Sequence, residues 1–351
     1  MIDRPVDLIS DTHTKPTPAM RRAMADAEVG SSQDGEDPTV SRLEAVVAEL
    51  LGHEAAIFVP SGTMANQIAI RIHTRPGDAI LAHPTAHTFN FEANGPAVNS
   101  GVSLQSLDGP RGQYRPEQIT EIVAGWPAIY SRLSLAWVEQ TVNLAGGTIW
   151  PLEVIEDVIH RAHAAGLRTH LDGARLLNAS VATGIPARAY AGSFDSAWID
   201  LTKGLGAPLG AVLAGSSSFI ADAWRARQQL GGGLRQAGIV AAGGLYALEH
   251  NVERLAEDHE NARRLAAGLA GMPGLEVDPG SVETNIVFVS VVGRAADGIV
   301  AALAERGVRV SALGDRIRAV THLDVAAAAI DRALEAFGDV MRAASSGSMG
   351  G

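Results

Sequence analysis

Short apolar runs and longer amphipathic segments alternate through the first half of the chain, and this alternation restricts the fold more than any other feature. Apolar runs predict strands at 55–59, 79–82, 133–139 and 168–172, with a weaker one at 102–106. Helical patterns fall between them at 116–123 and 151–165. Upstream, Pro16 and Pro18 lead into a short helix over 19–27. Leu43, Val46, Val47, Leu50 and Leu51 then keep helical spacing between Thr39, the expected N-cap, and Gly52, which stops the helix. Strands and helices in this order form a mostly parallel sheet covered on both faces, so the expected class is α/β. In such sheets a ligand sits at the carboxyl ends of the strands.

The residues that end these runs carry the chemistry. The stretch W-I-D-L-T-K-G-L-G-A-P-L-G-A-V-L-A (198–214) opens as a strand, stops at Lys203 and turns through Gly204, Gly206 and Gly210 into a second apolar run. A poorly solvated lysine favours the free amine that Schiff-base chemistry uses. The glycines let a flat ligand and the backbone approach closely. Alone, such a lysine more often caps a strand and points into water. The chain supplies partners. P-S-G-T-M-A-N (60–66) is a strand-turn-helix whose free N–H groups form an anion site, with Ser61 and Thr63 adding hydroxyls. It lacks the Gly-Lys-Ser/Thr ending of a Walker loop. Asp172, in H-L-D-G-A-R, ends another strand. Pyridoxal phosphate needs a lysine for its aldehyde, an acid for its pyridine nitrogen, an anion pocket and a ring-stacking residue. His87 suits the last role and proton transfer near neutral pH. His83 raises a zinc pair, but Pro84 breaks the helix between them and no Glu intervenes, so no metal is expected. Arg175 and Arg318 have the forked donors to grip a substrate carboxylate, or to form surface ion pairs.

Bulk composition narrows the class further. A net charge of −11 argues against nucleic acid or an anionic membrane as main partner, and the absence of cysteine excludes disulfides and thiolate chemistry. No window approaches the roughly 18 apolar residues of a membrane span, and the first residues lack the basic start and apolar core of a signal peptide. A soluble, cytoplasmic protein is expected. With 351 residues, 46% hydrophobic, the chain is long enough for two domains. A helix at 219–228 and a long helical region to about Gly271 precede a change of pattern at Asn285. From there N-I-V-F-V-S-V, a helix at 295–306, a strand pair at 308–310 and 318–321, and a last helix from Asp324 read as a smaller α+β unit. The expected organisation is an arm (1–15), a large domain (16–250), a small domain (251–343) and a flexible tail (344–351).

Motifs along nearly the whole chain give a resemblance. D-L-I-S-D-T (7–12), G-E-D-P-T-V (35–40), E-A-A-I-F-V-P-S-G-T-M-A-N (54–66), A-H-T-F-N-F-E (86–92), H-L-D-G-A-R-L-L-N-A (170–179), L-T-K-G-L-G-A-P-L-G (201–210), G-G-G-L-R-Q-A-G (231–238) and V-T-H-L-D-V (320–325) occur in family order. On these the chain resembles the threonine aldolases, among the aspartate-aminotransferase-like pyridoxal-phosphate enzymes of fold type I. The resemblance implies that Lys203 carries the cofactor covalently, Asp172 holds its pyridine nitrogen and His87 stacks on its ring. Ser61, Gly62 and Thr63 would hold the phosphate, with Arg235 contributed from nearby or from a neighbouring subunit. Arg175 would touch the cofactor, and Ser10, Arg175 and Arg318 the substrate carboxylate. It also implies a dimer or tetramer with active sites at a dimer interface. Three positions depart from the family: Ile9 stands for Arg, Asp34 for Tyr and Val142 for His.

The expected reaction is retro-aldol cleavage of L-threonine, L-allo-threonine or a phenylserine-like amino acid to glycine and an aldehyde. With Val142 as an apolar wall of the substrate pocket, His87 becomes the expected base for the β-hydroxyl, directly or through water, and bulkier β-substituents fit. β-Elimination and transamination remain open on the same residues. A catalytically silent binding protein is disfavoured by the complete residue set. A nicotinamide dehydrogenase is disfavoured because G-L-G-A-P-L-G lacks G-x-G-x-x-G spacing.

Overall fold

The computed structural model describes residues 5–346. Its centre is a seven-stranded sheet in the order 55–59, 211–215, 196–200, 168–173, 133–139, 79–82, 103–106. Of these strands, 211–215 alone runs against both neighbours, and the expected mostly parallel α/β sheet is present. Alternating side chains point to opposite faces, so Ile57 and Val59 join Trp198, Leu213 and Phe219 in one apolar layer. Phe58, Ile199 and Val212 face the other layer, against Leu43 and Leu51 of the 38–51 helix.

Local chemistry moves several boundaries. The 38–51 helix starts two residues earlier than Thr39 as N-cap suggests. Asp37 caps it by accepting Val40 N–H at 3.1 Å, and Pro38 is pre-set for the first turn. The Thr39 hydroxyl instead donates to Glu28 O at 2.7 Å. The strand that leads to Lys203 is Ser196–Asp200, which leaves the lysine in the turn beyond it. The long helical region is two helices, Gly238–His250 and Leu255–Leu269.

A second, antiparallel sheet has the order 311–313, 316–320, 286–291, 275–276. Val287, Val289 and Ile317 pack there against Leu265, Leu303 and Phe337 from the surrounding helices. Val308–Arg309 does not pair with the 316–320 strand as expected; it pairs in parallel with Val6–Asp7 of the arm. Val6 and Leu8 are thereby buried in this second core. The arm is thus anchored by packing, and it carries residues 10–14 to the carboxyl edge of the large sheet. Residues 1–4 of the arm and 347–351 of the expected tail lie outside the described residues, and the last helix, Ala327–Ser346, extends past residue 343.

Candidate active site

At the carboxyl ends of the parallel strands lies a cavity of about 440 Å³, lined among others by Ser61, Gly62, Thr63, His87, Asp172 and Lys203. Its size falls within the usual range for small-molecule sites. Each side chain arrives there because a strand ends beside it.

Ser61 follows the 55–59 strand and caps the helix Gly62–His73, its Oγ accepting Met64 N–H at 3.2 Å. The first N–H groups of that helix lie at the cavity wall, a site suited to a phosphate. Gly62 is required there: a Cβ would lie 2.2 Å from the Trp198 ring. Trp198 in turn lies under the lysine, whose Nζ sits 5.7 Å from the ring centroid. Lys203 Nζ is 3.0 Å from Asp200 Oδ2, an ion pair that sequence reading did not anticipate. Thr14 of the arm donates to Lys203 O at 2.9 Å, which ties the arm to the lysine turn.

Asp172 is 1% exposed, and its oxygens accept from Ala174 N at 3.1 Å and Asn66 Nδ2 at 2.9 Å. Burial raises its pKa, and the opposing pull of His87 and Lys203 does not reverse this. Glu139 stands beside it across the strand pair, pushed up to about 7 by burial and by the Asp172 charge. Its oxygens accept the backbone N–H groups of His87 and Asn143, at 2.6 and 2.9 Å. His87 feels burial, which lowers its pKa, but the Glu92 hydrogen bond and the charges of Asp172, Glu92 and Glu139 outweigh it and leave it raised.

The predicted carboxylate-binding residues Ser10, Arg175 and Arg318 lie on the arm side and are not among the residues that line the cavity. Arg175 is 5% exposed and does not offer a free fork: its Nε and Nη2 bind both oxygens of buried Asp11 at 2.7 Å. A fully buried guanidinium needs a carboxylate, and the arm provides one. Burial would raise Asp11, but Arg175, with Lys203 and Arg318, holds it far below the usual carboxylate range. Arg318 donates to Ile9 O at 3.1 Å and Asn143 Oδ1 at 2.7 Å, while its buried Nε has no partner. Burial and the Arg175 charge lower it to about 10. Ser10 Oγ accepts from Thr12 N at 3.2 Å. Three further positions lie off the cavity. Val142 is 1% exposed and packs under the Gly112 loop rather than lining the cavity. Arg235 donates to Gln33 Oε1 at 2.6 Å and is not part of this chain's cavity wall. Asp34 accepts from Ser31 Oγ at 2.6 Å in the same exposed loop region.

His83 is not paired with His87: its ring nitrogens meet Thr85 and Gly109 O. His87, Glu92 and Asp172 do bring donor atoms within 4.8 Å of one another, but the Asn66 amide hydrogens and the His87 Nδ1 edge already occupy those atoms. A lysine, a buried acid, an exposed histidine face and a phosphate-ready turn around one cavity fit pyridoxal phosphate. Asp200 and Glu139 were missed although both end strands, so the strand-end rule would have found them. Asn66 and Glu92 lie within quoted motifs but carried no signal of their own.

A family model for beta-eliminating lyases matches residues 7–292. Among curated proteins, a low-specificity L-threonine aldolase of Arabidopsis thaliana is 37% identical over 97% of this chain and 98% of its own length. One from Escherichia coli K12 is 39% identical over 91% and 94%. Among solved structures, a threonine aldolase of Leishmania major superposes with a TM-score of 0.83 at 20% identity, covering 96% of this chain and all of the other. A putative L-allo-threonine aldolase of Listeria monocytogenes gives 0.80 at 23% identity, covering 96% of each.

Proposed function

Since the chain belongs to the beta-eliminating lyases, and within them to the threonine aldolases, we propose that it cleaves L-threonine, L-allo-threonine and related β-hydroxy-α-amino acids to glycine and an aldehyde. It is a pyridoxal-phosphate-dependent carbon–carbon lyase of fold type I. The observation that carries the reading is the meeting of Lys203, Asp172, His87 and the 61–63 turn on one cavity.

Bound there, pyridoxal phosphate supplies a sink for the electron pair left when the Cα–Cβ bond breaks. The residues do the rest. Lys203 would carry the cofactor aldehyde, with Asp200, 3.0 Å from its Nζ, holding the side chain in place. Asp172, buried and hydrogen-bonded, would hold the pyridine nitrogen in its protonated form. Ser61, Gly62 and Thr63 would hold the phosphate. Ser10, Arg175 and Arg318, on the arm side of the cavity, would take the substrate carboxylate. His87 would stack on the cofactor ring and take the β-hydroxyl proton, directly or through a water. The oxygen then closes to a carbonyl, the aldehyde leaves, and Cα takes a proton to give glycine. We assign the protein to the cytoplasm as a dimer or tetramer in which Arg235 reaches a neighbouring subunit's phosphate; its place beside Gln33, off this chain's own cavity, supports that.

The test is to load the enzyme with pyridoxal phosphate and follow aldehyde and glycine from L-threonine, L-allo-threonine and phenylserine. Equal amounts of both products are expected, and Lys203→Ala should abolish both the yellow colour and turnover. Ammonia with an oxo-acid, or no aldehyde from any substrate, would overturn the assignment.

A further inference from the structure

His87 meets the cavity with one edge and a buried polar network with the other. Its Nδ1 lies 2.9 Å from Oε1 of Glu92, a side chain with no exposed surface. The same oxygen accepts from Asn66 Nδ2 at 2.7 Å, and Oε2 accepts from Gln67 Nε2 at 2.6 Å. Among the described residues Glu92 pairs with no lysine or arginine. Asn66 Nδ2 also donates to Asp172 at 2.9 Å, so one amide group holds both carboxylates.

Chemistry fixes the direction of every bond in this network. Indole N–H can only donate, and Trp198 Nε1 lies 2.6 Å from Asn66 Oδ1, so the amide oxygen faces the indole. The amide N–H groups must then face the two carboxylates. His170 Nε2 approaches the same oxygen at 3.4 Å and must donate, which leaves Nδ1 to accept from Ser196 Oγ at 2.7 Å. With Glu92 accepting from Asn66 and Gln67, neutral His87 carries its proton on Nδ1. Its lone pair is then on Nε2, which has no hydrogen-bond partner among the described residues.

We propose that Glu92 and Asn66 are positioning residues for the reaction. Glu92 sets the His87 tautomer so that Nε2 is the proton acceptor. Asn66 holds Glu92 and Asp172 on one amide, so that the base and the cofactor-facing acid keep a fixed relation. The catalytic meaning of this rests on the aldolase reading; the geometry does not.

The charged groups around His87 are Glu92 behind it, Asp172 and Glu139 from the strands beneath, and Lys203 facing Asp172. Glu92→Gln keeps an oxygen for Asn66 and His87 but removes one of the charges that favour the imidazolium. In cofactor-free enzyme with 15N-labelled histidine, the His87 titration midpoint should fall by about one unit or more in Glu92→Gln. In loaded enzyme the acid limb of kcat/KM should move the same way. Asn66→Ala should weaken cofactor binding about tenfold, the loss of one hydrogen bond to a charged group. An unchanged His87 midpoint in Glu92→Gln would overturn the proposal. So would wild-type neutral His87 with its proton on Nε2, a measurement that needs no variant to fold. These readouts use no substrate, so a protein that releases no aldehyde would defeat the aldolase reading while the titration still judges the network.

Discussion

Asp11→Asn strands a charge where water cannot reach it. In the wild type, Arg175 donates from Nε and Nη2 to the two carboxylate oxygens at 2.7 Å, and Asn285 Nδ2 adds a third bond at 3.1 Å. Asp11 is fully buried and Arg175 nearly so. Asparagine keeps the shape but turns an N–H toward one of the donors and leaves the guanidinium uncompensated. Removing one partner of a buried pair costs about 3–5 kcal/mol. At roughly 2 °C per kcal/mol for a large domain, Tm should fall by about 6–10 °C. The sign with pH follows from the depressed Asp11: its contribution is full above the unfolded aspartate value near 3.9 and is lost as pH falls below it. The gap between wild type and variant should therefore narrow below about pH 4. The assay is thermal unfolding of cofactor-free Asp11→Asn, Arg175→Met and the double variant at several pH values. The double variant should lose much less than the sum of the singles, because the second change removes the stranded charge. A single-variant shift of about 1 °C, or simple additivity, would refute the pair as the lock that holds the arm on the active site.

Three further outcomes are expected. Gly62→Ala drives a Cβ into the Trp198 ring, 2.2 Å away, and should cost about 1–3 kcal/mol as overpacking, with weaker cofactor binding because Trp198 also orients Asn66; unchanged stability and affinity would contradict it. Asp258 is pushed up to about 7 by burial, beyond what Arg254 can offset, and neither of its oxygens has a hydrogen-bond partner. A raised carboxyl contributes stability that is full below about pH 4 and lost as pH climbs to about 7, so Asp258→Asn should flatten the fall in Tm between pH 5 and 8; an identical fall would exclude it. Val142→His forces an imidazole into the buried space under the Gly112 loop, off the cavity, and should cost about 1–3 kcal/mol as overpacking while leaving the threo/erythro ratio on L-threonine against L-allo-threonine unchanged; a changed ratio would return position 142 to substrate selection.

Much of the fold was legible because parallel α/β order leaves local marks. Strand runs end in Val59, Ala82 and Glu139 as read, Ser61 and His87 follow two of those ends, and Asp172 lies one residue before the end of its strand, while the strand before Lys203 stops three residues sooner than the sequence suggests. What failed depended on distant partners. Asp11 and Arg175 are 164 residues apart in the chain, so nothing near Arg175 announces that its fork is already occupied. The pairing of Val308 with Val6 is equally remote. Thr39 was a different kind of miss: Asp37-Pro38 carried the stronger capping signal, an acid before a proline at the first helical position.

The buried side chains also separate charge in a way no single motif reveals. Acceptors gather behind the cavity, with Asp172 and Glu139 at strand ends and Glu92 in the turn after His87, whereas Arg175 and Arg318 approach from the arm side, with Lys203 between the two groups. A low-dielectric cavity strengthens such a gradient. An α-amino acid is zwitterionic, and this arrangement draws its carboxylate toward the arginines and its ammonium toward the acids. The β-substituent is then left facing His87. On the proposed reaction, positioning by charge would thus bring the bond to be broken next to His87, whose buried edge is held by Glu92, and would make the arm, though outside the sheet, part of the catalytic architecture.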